Sequence, residues 1–337
     1  MVTKPRTDTT ATQTAADFTA SEEQAPWRHQ HLLDVDVLRA EEIERLLQSA
    51  AAMEEVLHRR VARTPTLRGV TLVTIFYEAS TRTRASFELA GKVLGADVVN
   101  LSAGGSSVEK GESLVDTVHT IEAIGADIVV MRHPQAGAPY IAARHSKAHL
   151  INAGDGAHAH PTQALLDAYT LCKSMGTVEG KRICIVGDIK HSRVVRSNLW
   201  TLSKLGAVVT LVGPQSLMPP GLNQDHPLGL PGVTIEHDLD RALEGADAVM
   251  ALRLQRERAA SAQVPSVREY SRRYQITQDR LMLARPGAPV LHPGPMNEGV
   301  EISPAVAQGL QSEINRQVQH GVAIRMAVLY LLARGGA

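Results

Sequence analysis

The sequence predicts an α/β fold made of two doubly wound parallel-sheet domains that are linked by helices. Short, uninterrupted apolar segments alternate with helical patterns in two sets, the first from residue 70 and the second from residue 182. Strands that are apolar along their whole length are typical of parallel sheets covered on both faces. At 337 residues with 44% hydrophobic side chains, the chain is long enough for two ordinary cores.

The chain begins with a predicted flexible tail, residues 1–27. Its first 25 residues are rich in Thr, Ala and Gln and show no apolar periodicity, so they bury too little surface to offset the entropy lost on ordering. A helix is predicted next, over residues 37–58, because apolar residues recur there at helical spacing and Glu41 and Glu42 stand near its start.

The two alternating sets follow in order. The first set has predicted strands at 70–76, 97–101, 127–131 and 149–152, followed by helices at 82–94, 112–124, 137–145 and 161–175, respectively. The second set has a strand at 182–186, a helix at 193–205, a strand at 207–212 and further strands at 248–252 and 289–291. One or two closing helices are predicted within 305–333, and no repeat array is indicated.

Composition excludes several classes of function. Lys plus Arg (35) equals Asp plus Glu (35), so no overall field recruits nucleic acid or an anionic membrane. The two cysteines, Cys172 and Cys184, are too few for a disulfide framework. No apolar run approaches the roughly 20 residues of a membrane span, and the N-terminus lacks the apolar core of a signal peptide. We therefore expect a cytoplasmic protein that binds neither nucleic acid nor membrane.

The clearest functional signal is an anion site where the first strand of the first set meets its helix. Three hydroxyls and two guanidinium groups occur in the run Ser80, Thr81, Arg82, Thr83 and Arg84. The positive end of a helix favours phosphate, hydroxyls add donors, and a guanidinium can bind two oxygens at once. Ordinary helix capping is the alternative, although it needs only one hydroxyl.

Further polar clusters also follow predicted strands, at 132–135, 155–163, 187–193, 253–258 and 292–298. Loops at the carboxyl ends of parallel strands converge, so these clusters are predicted to share one cleft with the anion site. The candidate binding groups among them are Arg132, Arg193, Arg253 and Gln255, with the last two on the same side of an extended segment. For Arg132 and Arg193, a solvated surface position remains the alternative.

His160 and Gln163 lie in the first turn of a helix that begins at a proline. A histidine there can donate a hydrogen bond to a carbonyl oxygen that gains negative charge, and a glutamine can accept one from an amine or amide. His158 and His160 also resemble a metal pair, but no third ligand accompanies them, so we predict no metal site.

The turn at 292–295 is rigid because two prolines hold it, and its carbonyl groups suit the protons of an amino group. A stiff turn without a ligand is the alternative. The strand-to-helix turn at 187–193 resembles a dinucleotide site, but it lacks the glycine fingerprint.

Five segments together resemble the catalytic chains of the aspartate carbamoyltransferase family, and the likeness runs from about residue 28 to residue 332. They are FYEASTRTR at 76–84, MRHPQ at 131–135, HPTQ at 160–163, RLQRER at 253–258 and HPGP at 292–295. The resemblance implies the aspartate/ornithine carbamoyltransferase fold. It also implies a carbamoyl-phosphate-binding domain at 28–161 plus 318–335 and an aspartate-binding domain at 162–317.

The resemblance assigns a role to each candidate residue. It assigns the phosphate of carbamoyl phosphate to the start of one helix: Ser80, Thr81, Arg82 and Thr83. It assigns the carbonyl oxygen to Thr83, Arg132 and His160, and the carbamoyl nitrogen to Gln163 and the turn at Pro293 and Gly294. It assigns the two carboxylates of L-aspartate to Arg193, Arg253 and Gln255. No cofactor is implied.

The resemblance also implies that sites are shared between the subunits of a homotrimer. Ser106 and Lys110, on a glycine-flanked segment, match residues that the family supplies from the neighbouring subunit: Ser106 toward carbamoyl phosphate, and Lys110 toward aspartate and in catalysis. The long N-terminal segment resembles members that assemble with dihydroorotase or a related regulatory chain. Gly294 departs from members that carry leucine there, which predicts a more mobile turn.

Three other functions stay open on the sequence. An ornithine-type carbamoyltransferase is disfavoured because its Cys-Leu-Pro turn is absent and no cysteine follows Cys184. A noncatalytic scaffold subunit of a pyrimidine-pathway complex is disfavoured by the intact set of polar residues. A nicotinamide-dependent dehydrogenase is disfavoured by the missing glycine fingerprint.

Overall fold

The computed structural model describes residues 26–102, 111–219, 232–255 and 266–335. Within them the chain forms two all-parallel sheets, which confirms the predicted fold class. The first sheet has the order β2-β1-β3-β4, and its strands are β1 (Thr71–Phe76), β2 (Asp97–Ser102), β3 (Ile128–His133) and β4 (His149–Asp155). The second has the order β7-β6-β5-β8-β9, and its strands are β5 (Arg182–Val186), β6 (Val208–Val212), β7 (Val233–Glu236), β8 (Ala248–Ala251) and β9 (Val290–Leu291).

Helices cover both sheets. Those of the first half are α1 (Ala40–Leu57), α2 (Thr81–Leu94), α3 (Leu114–Ala123), α4 (Ala138–Arg144) and α5 (Pro161–Met175). Those of the second half are α6 (Arg193–Lys204), α7 (Leu239–Leu243), α8 (Val267–Tyr274), α9 (Gln278–Leu281), α10 (Pro304–Ala307) and α11 (Ile314–Gly335). The sequence prediction missed β7 and α7 to α9, which are short elements of four to eight residues.

Both sheets have a switch point, where the strand order reverses. In the first sheet it lies between β1 and β3, and in the second it lies between β5 and β8. Ligands of open α/β sheets bind outside the carboxyl ends of strands at such points. The predicted polar clusters at 80–84 and 187–193 follow β1 and β5. The cluster at 132–135 begins at the carboxyl end of β3, and the described part of the cluster at 253–258 follows β8.

Two long helices join the halves of the molecule. Helix α5 runs between the two sheets in the chain, and its residues from 161 to 171 are all buried. Helix α11 returns after the second sheet and packs against α1, α2 and α5. The apolar residues of α11 belong to the same core cluster as those of α1 and α2, so the end of the chain completes the core of the first sheet.

The N-terminal prediction needs one correction. Residues 1–25 lie outside the described residues, but Trp27, which we placed in the flexible tail, is only 4% exposed. Its indole packs into the core cluster that α1 and α11 share, and burying so large an apolar ring holds this part of the chain in place. None of the helices in the described ranges is long and apolar enough to cross a membrane.

Candidate active site

One cavity of about 560 Å³ brings the predicted site residues together. It opens between the carboxyl ends of the two sheets. All twelve of the predicted residues that fall within the described ranges line it: Ser80, Thr81, Arg82, Thr83, Arg132, His160, Gln163, Arg193, Arg253, Gln255, Pro293 and Gly294. The other two, Ser106 and Lys110, lie outside the described residues.

The first turn of α2 faces this cavity. Ser80 precedes the helix with extended backbone, and its side chain makes no cap hydrogen bond. By contrast, Ser113 and Ser192 each accept a backbone N–H at the starts of α3 and α6. Capping therefore does not account for the hydroxyl of Ser80, and the N-terminus of α2 combines N–H donors, hydroxyls and Arg82 in one place.

Glu78 links two of the predicted arginines. Its Oε2 lies 3.1 Å from Arg132 Nε and 2.8 Å from Arg193 Nη2. The two arginines come from the switch points of different sheets, so this carboxylate joins the two halves of the site. Although Glu78 lies within the segment FYEASTRTR, we predicted no role for it, because nothing local shows that an acid will face two distant cations.

A close backbone approach fixes Arg193, which is 5% exposed. Its Nη1 donates to the carbonyl oxygen of Gly156 at 3.1 Å. Gly154 has φ +116°, and a Cβ there would lie 2.9 Å from the guanidinium carbon of Arg193. Glycine is thus required at 154 both for the backbone conformation and for the space that the guanidinium occupies.

His160 is neutral in this environment. Burial, together with the positive charges of Arg193, Arg132 and Arg325, holds its pKa well below the usual 6.5. Its backbone N–H donates to Ser197 Oγ at 2.9 Å, while its ring Nδ1 has no hydrogen-bond partner among the described residues. A neutral imidazole held in this way can donate one hydrogen bond to a ligand oxygen without carrying charge.

The turn after β9 is held by His292. Its Nδ1 accepts from the backbone N–H of Gly294 at 2.8 Å, and its Nε2 lies 3.3 Å from Glu301 Oε1. Gly294 has φ +60°, and a Cβ there would collide with the guanidinium of Arg82. The structure shows a further reason for glycine at 294, a close approach of Arg82 that a side chain would prevent.

Arg253 and Gln255 follow β8 and both line the cavity, whereas Leu254 between them is 1% exposed. The alternation along this extended segment is therefore as predicted.

The prediction missed Arg325, a residue of α11 that lines the cavity. Its side chain is 4% exposed and lies over the ring of Phe87. Burial lowers the pKa of Arg325 to about 9. A lone arginine within the apolar run 322–332 was the signal available for it.

His158 does not pair with His160. Its Nδ1 lies 3.1 Å from Asp155 Oδ2, and its Nε2 lies 3.7 Å from Asp34 Oδ2. Within the part of the chain that the structure describes, no three His, Cys, Asp or Glu side chains are grouped so that they could hold a metal ion.

The fold and site define a two-domain α/β protein with a cleft between its sheets that several arginines line. The chain belongs to the aspartate/ornithine carbamoyltransferase family. Residues 30–173 match the family's carbamoyl-phosphate-binding domain, and residues 179–332 match its aspartate/ornithine-binding domain.

Proteins of similar sequence carry a more specific name than that of the family. The chain is 56% identical over 303 residues to the aspartate carbamoyltransferase catalytic subunit of Chloroflexus aurantiacus, covering 90% of this chain and 98% of the relative. It is 55% identical over 306 residues to that of Roseiflexus sp., covering 91% and 96%.

Solved structures agree with these relatives. The aspartate transcarbamoylase of Trypanosoma cruzi in complex with N-(phosphonacetyl)-L-aspartic acid has a TM-score of 0.81 and 33% identity, covering 90% of this chain and 96% of its own. The catalytic subunit of the M. jannaschii enzyme has a TM-score of 0.80 and 35% identity, covering 91% and 99%.

Proposed function

We propose that the chain is an aspartate carbamoyltransferase, which transfers the carbamoyl group of carbamoyl phosphate to the α-amine of L-aspartate. The products are N-carbamoyl-L-aspartate and phosphate, as in de novo pyrimidine synthesis. The observation that carries the proposal is the single cavity in which the N-terminus of α2 and a set of arginines from both sheets converge. The names of the similar proteins support the same reaction.

The phosphate binds at the start of α2. The hydroxyls there, Arg82 and the free N–H groups of the first turn supply donors for its oxygens. The carbonyl oxygen points to Thr83, Arg132 and His160, and the carbamoyl nitrogen points to Gln163 and the turn at Pro293 and Gly294. Because His160 is neutral, it serves as a hydrogen-bond donor that strengthens as the oxygen gains charge.

The charge of the lining selects the second substrate. Arg193, Arg253 and Gln255 offer donors for two carboxylates. Of the described residues that line the cavity, Glu78 is the single carboxylate, and it already lies against two arginines. Ornithine carries a cationic side chain, which this lining would repel, so the cavity favours L-aspartate.

The chemistry follows from positioning and charge. The uncharged amine attacks the carbonyl carbon, and a tetrahedral oxyanion forms and collapses with loss of phosphate. One well-placed donor to such an oxyanion contributes on the order of 3 kcal/mol, and correct orientation contributes further. The departing phosphate accepts the proton of the amine, so no side chain is needed as an obligatory base.

We further propose a homotrimer in which Ser106 and Lys110 of one subunit complete the site of the next. We also place the carbamoyl-phosphate domain at 28–161 plus 318–335 and the aspartate domain at 162–317. The packing of α11 against α1 and α2 supports the return of the chain to the first domain. The relatives' name, catalytic subunit, supports assembly with a further chain, such as dihydroorotase or a regulatory chain.

The proposed reaction is tested by measuring carbamoylaspartate formation with aspartate or ornithine as the acceptor. We expect turnover with aspartate only. Arg82→Ala should remove most of this activity, because it deletes the cation beside the phosphate. Arg84→Ala is the matched control, since Arg84 is exposed on the same helix and does not line the cavity. Equal activity of the Arg82→Ala and unaltered chains would contradict the phosphate site.

Sharing between subunits is tested by mixing two inactive variants. Lys110→Ala chains combined with Arg82→Ala chains should regain part of the activity, since some sites then receive both native groups. Mixed trimers that are confirmed by mass and remain inactive would refute sharing.

A further inference from the structure

A buried carboxylate lies directly behind the cavity. Asp167, on α5, is fully buried and accepts hydrogen bonds from three side-chain amides. Gln163 Nε2 lies 2.8 Å from its Oδ1, Gln317 Nε2 lies 2.7 Å from the same oxygen, and Asn198 Nδ2 lies 2.8 Å from Oδ2. These donors come from three helices, α5, α11 and α6.

The carboxylate determines which way the amide of Gln163 points. An ionised carboxylate can only accept hydrogen bonds, so each neighbouring amide must turn its nitrogen toward it. For Gln163, which lines the cavity, the remaining group is the oxygen Oε1. An acceptor in the cavity suits the N–H groups of a carbamoyl amide. In the opposite orientation, the N–H groups of Gln163 would face the N–H groups of the substrate, and neither could accept a hydrogen bond.

A second branch runs from Asp167 to the turn after β9. Gln317 gives its nitrogen to Asp167, and its Oε1 accepts from the backbone N–H of His292 at 2.8 Å. His292 in turn accepts from the backbone N–H of Gly294 at 2.8 Å. One carboxylate therefore connects both groups that we assign to the carbamoyl nitrogen.

Asp167 is charged at neutral pH, although it is buried. Burial raises the pKa of Asp167 to about 6. The hydrogen bonds from Asn198, Gln317 and Gln163 and the positive charge of Arg325 limit this rise, because they favour the ionised form. A buried charge that is hydrogen-bonded on both oxygens holds its donors firmly, because an unpaired amide or charge in this position would be costly.

We propose that Asp167 is the positioning residue of the carbamoyl subsite, and that it makes the enzyme distinguish a carbamoyl group from an acyl group of the same shape. The inference rests on the proposed function. It assigns Asp167 no contact with substrate. Its carboxylate acts through Gln163 and through the Gln317–His292 branch, which together keep acceptors turned toward the amide of carbamoyl phosphate.

Asp167→Asn tests the proposal, because it keeps the shape and replaces one acceptor oxygen by a donor. The three amides can then no longer all point their nitrogens at position 167. We expect KM for carbamoyl phosphate to rise about 10- to 100-fold, the range for one misdirected buried hydrogen-bonding group. Inhibition constants for acetyl phosphate, which has a methyl in place of the amide nitrogen, and for inorganic phosphate should change less than about threefold.

Asn198→Ala is the matched control for a purely structural role. It removes the third donor to Asp167 but leaves Gln163 and Gln317 in place, so it should lower the melting temperature without altering the preference for carbamoyl over acetyl phosphate. Combining Asp167→Asn with Gln163→Glu should restore part of that preference, since the new carboxylate can accept from both the amide at 167 and the substrate.

The outcomes separate the two proposals. If Asp167→Asn weakens all three ligands equally, or weakens none, the positioning role is overturned. If that variant fails to fold, Gln317→Met decides. It removes the link from Asp167 to His292 but keeps the hydrogen bond between Gln163 and Asp167, and it should raise KM for carbamoyl phosphate alone. A wild-type chain that forms no carbamoylaspartate would instead overturn the proposed function, and the inference with it.

Discussion

Replacing Glu78 by glutamine should impair the use of both substrates at once. Glu78 Oε2 lies 3.1 Å from Arg132 Nε and 2.8 Å from Arg193 Nη2, and these arginines are assigned to carbamoyl phosphate and aspartate, respectively. Glutamine keeps one acceptor oxygen but loses the charge. Each arginine would then be less firmly oriented, and the repulsion between the two cations would be less well screened.

The size of the effect follows from the geometry. A hydrogen bond to a charged group contributes about 1.5–3 kcal/mol, against about 0.5–1.5 kcal/mol for a neutral one. Two such bonds are weakened here, but the Glu78 side chain is 28% exposed, so solvent screening reduces the loss. We expect a loss of about 2 kcal/mol, which corresponds to about a 30-fold decrease in kcat/KM for each substrate.

The assay is steady-state formation of carbamoylaspartate, with each substrate varied while the other is held at saturation. Glu88→Gln is the matched control. Glu88 pairs with Lys92 on the outer face of α2 at 2.6 Å, a partly exposed contact that contributes about 0.3–0.5 kcal/mol. Glu88→Gln should leave kcat/KM for each substrate within about twofold of the wild-type value. The reasoning would be refuted if Glu78→Gln impaired the use of one substrate only, or of neither.

Three further changes test other parts of the structure. Gly294→Ala should lower kcat/KM for carbamoyl phosphate about tenfold, because a Cβ would displace Arg82 and strain a backbone with φ +60°. An unchanged kcat/KM would show that the position of Arg82 does not depend on glycine at 294. Tyr270→Phe should raise the free energy of unfolding in urea by about 1 kcal/mol, since it removes a fully buried hydroxyl without a partner among the described residues, and a loss of stability would contradict this. Burial raises the pKa of Asp34 above its usual 3.8, against the positive charge of His158, so the folded state holds this proton to a higher pH than the unfolded state does. The contribution of Asp34 to stability therefore falls as pH rises through this range, and Asp34→Asn should gain stability relative to wild type between pH 4 and pH 7; a constant difference in the free energy of unfolding would contradict the shift.

The sequence was sufficient for the long elements of the fold. Strands such as β1 and β5 are buried nearly throughout, so their apolar runs stand out from the flanking segments. Helix α8 was missed because it carries little apolar sequence, VREYSRRY, and its buried residues are the two tyrosines Tyr270 and Tyr274. Strand β9 was predicted at 289–291, but its place beside β8 depends on tertiary packing rather than on local pattern.

The site was predictable wherever a binding group lies at the carboxyl end of a strand or shortly after it. Arg132 and Arg253 were found in this way, because the carboxyl ends of parallel strands share one edge. The supporting groups could not be found. Asp167 and Gln317 are separated by 150 residues and meet only when α11 packs on α5, and neither shows a local signal of its partner.

A crystal structure with a bisubstrate analogue that joins a phosphonate to L-aspartate tests the central claim most directly. The claim is that one cavity between the two sheets binds both anionic substrates side by side. We expect the phosphonate at the start of α2 within hydrogen-bond distance of Thr83 and Arg82, and the carboxylates at Arg193 and Arg253. An analogue bound with its phosphonate away from α2, or with its carboxylates turned to solvent, would contradict the claim.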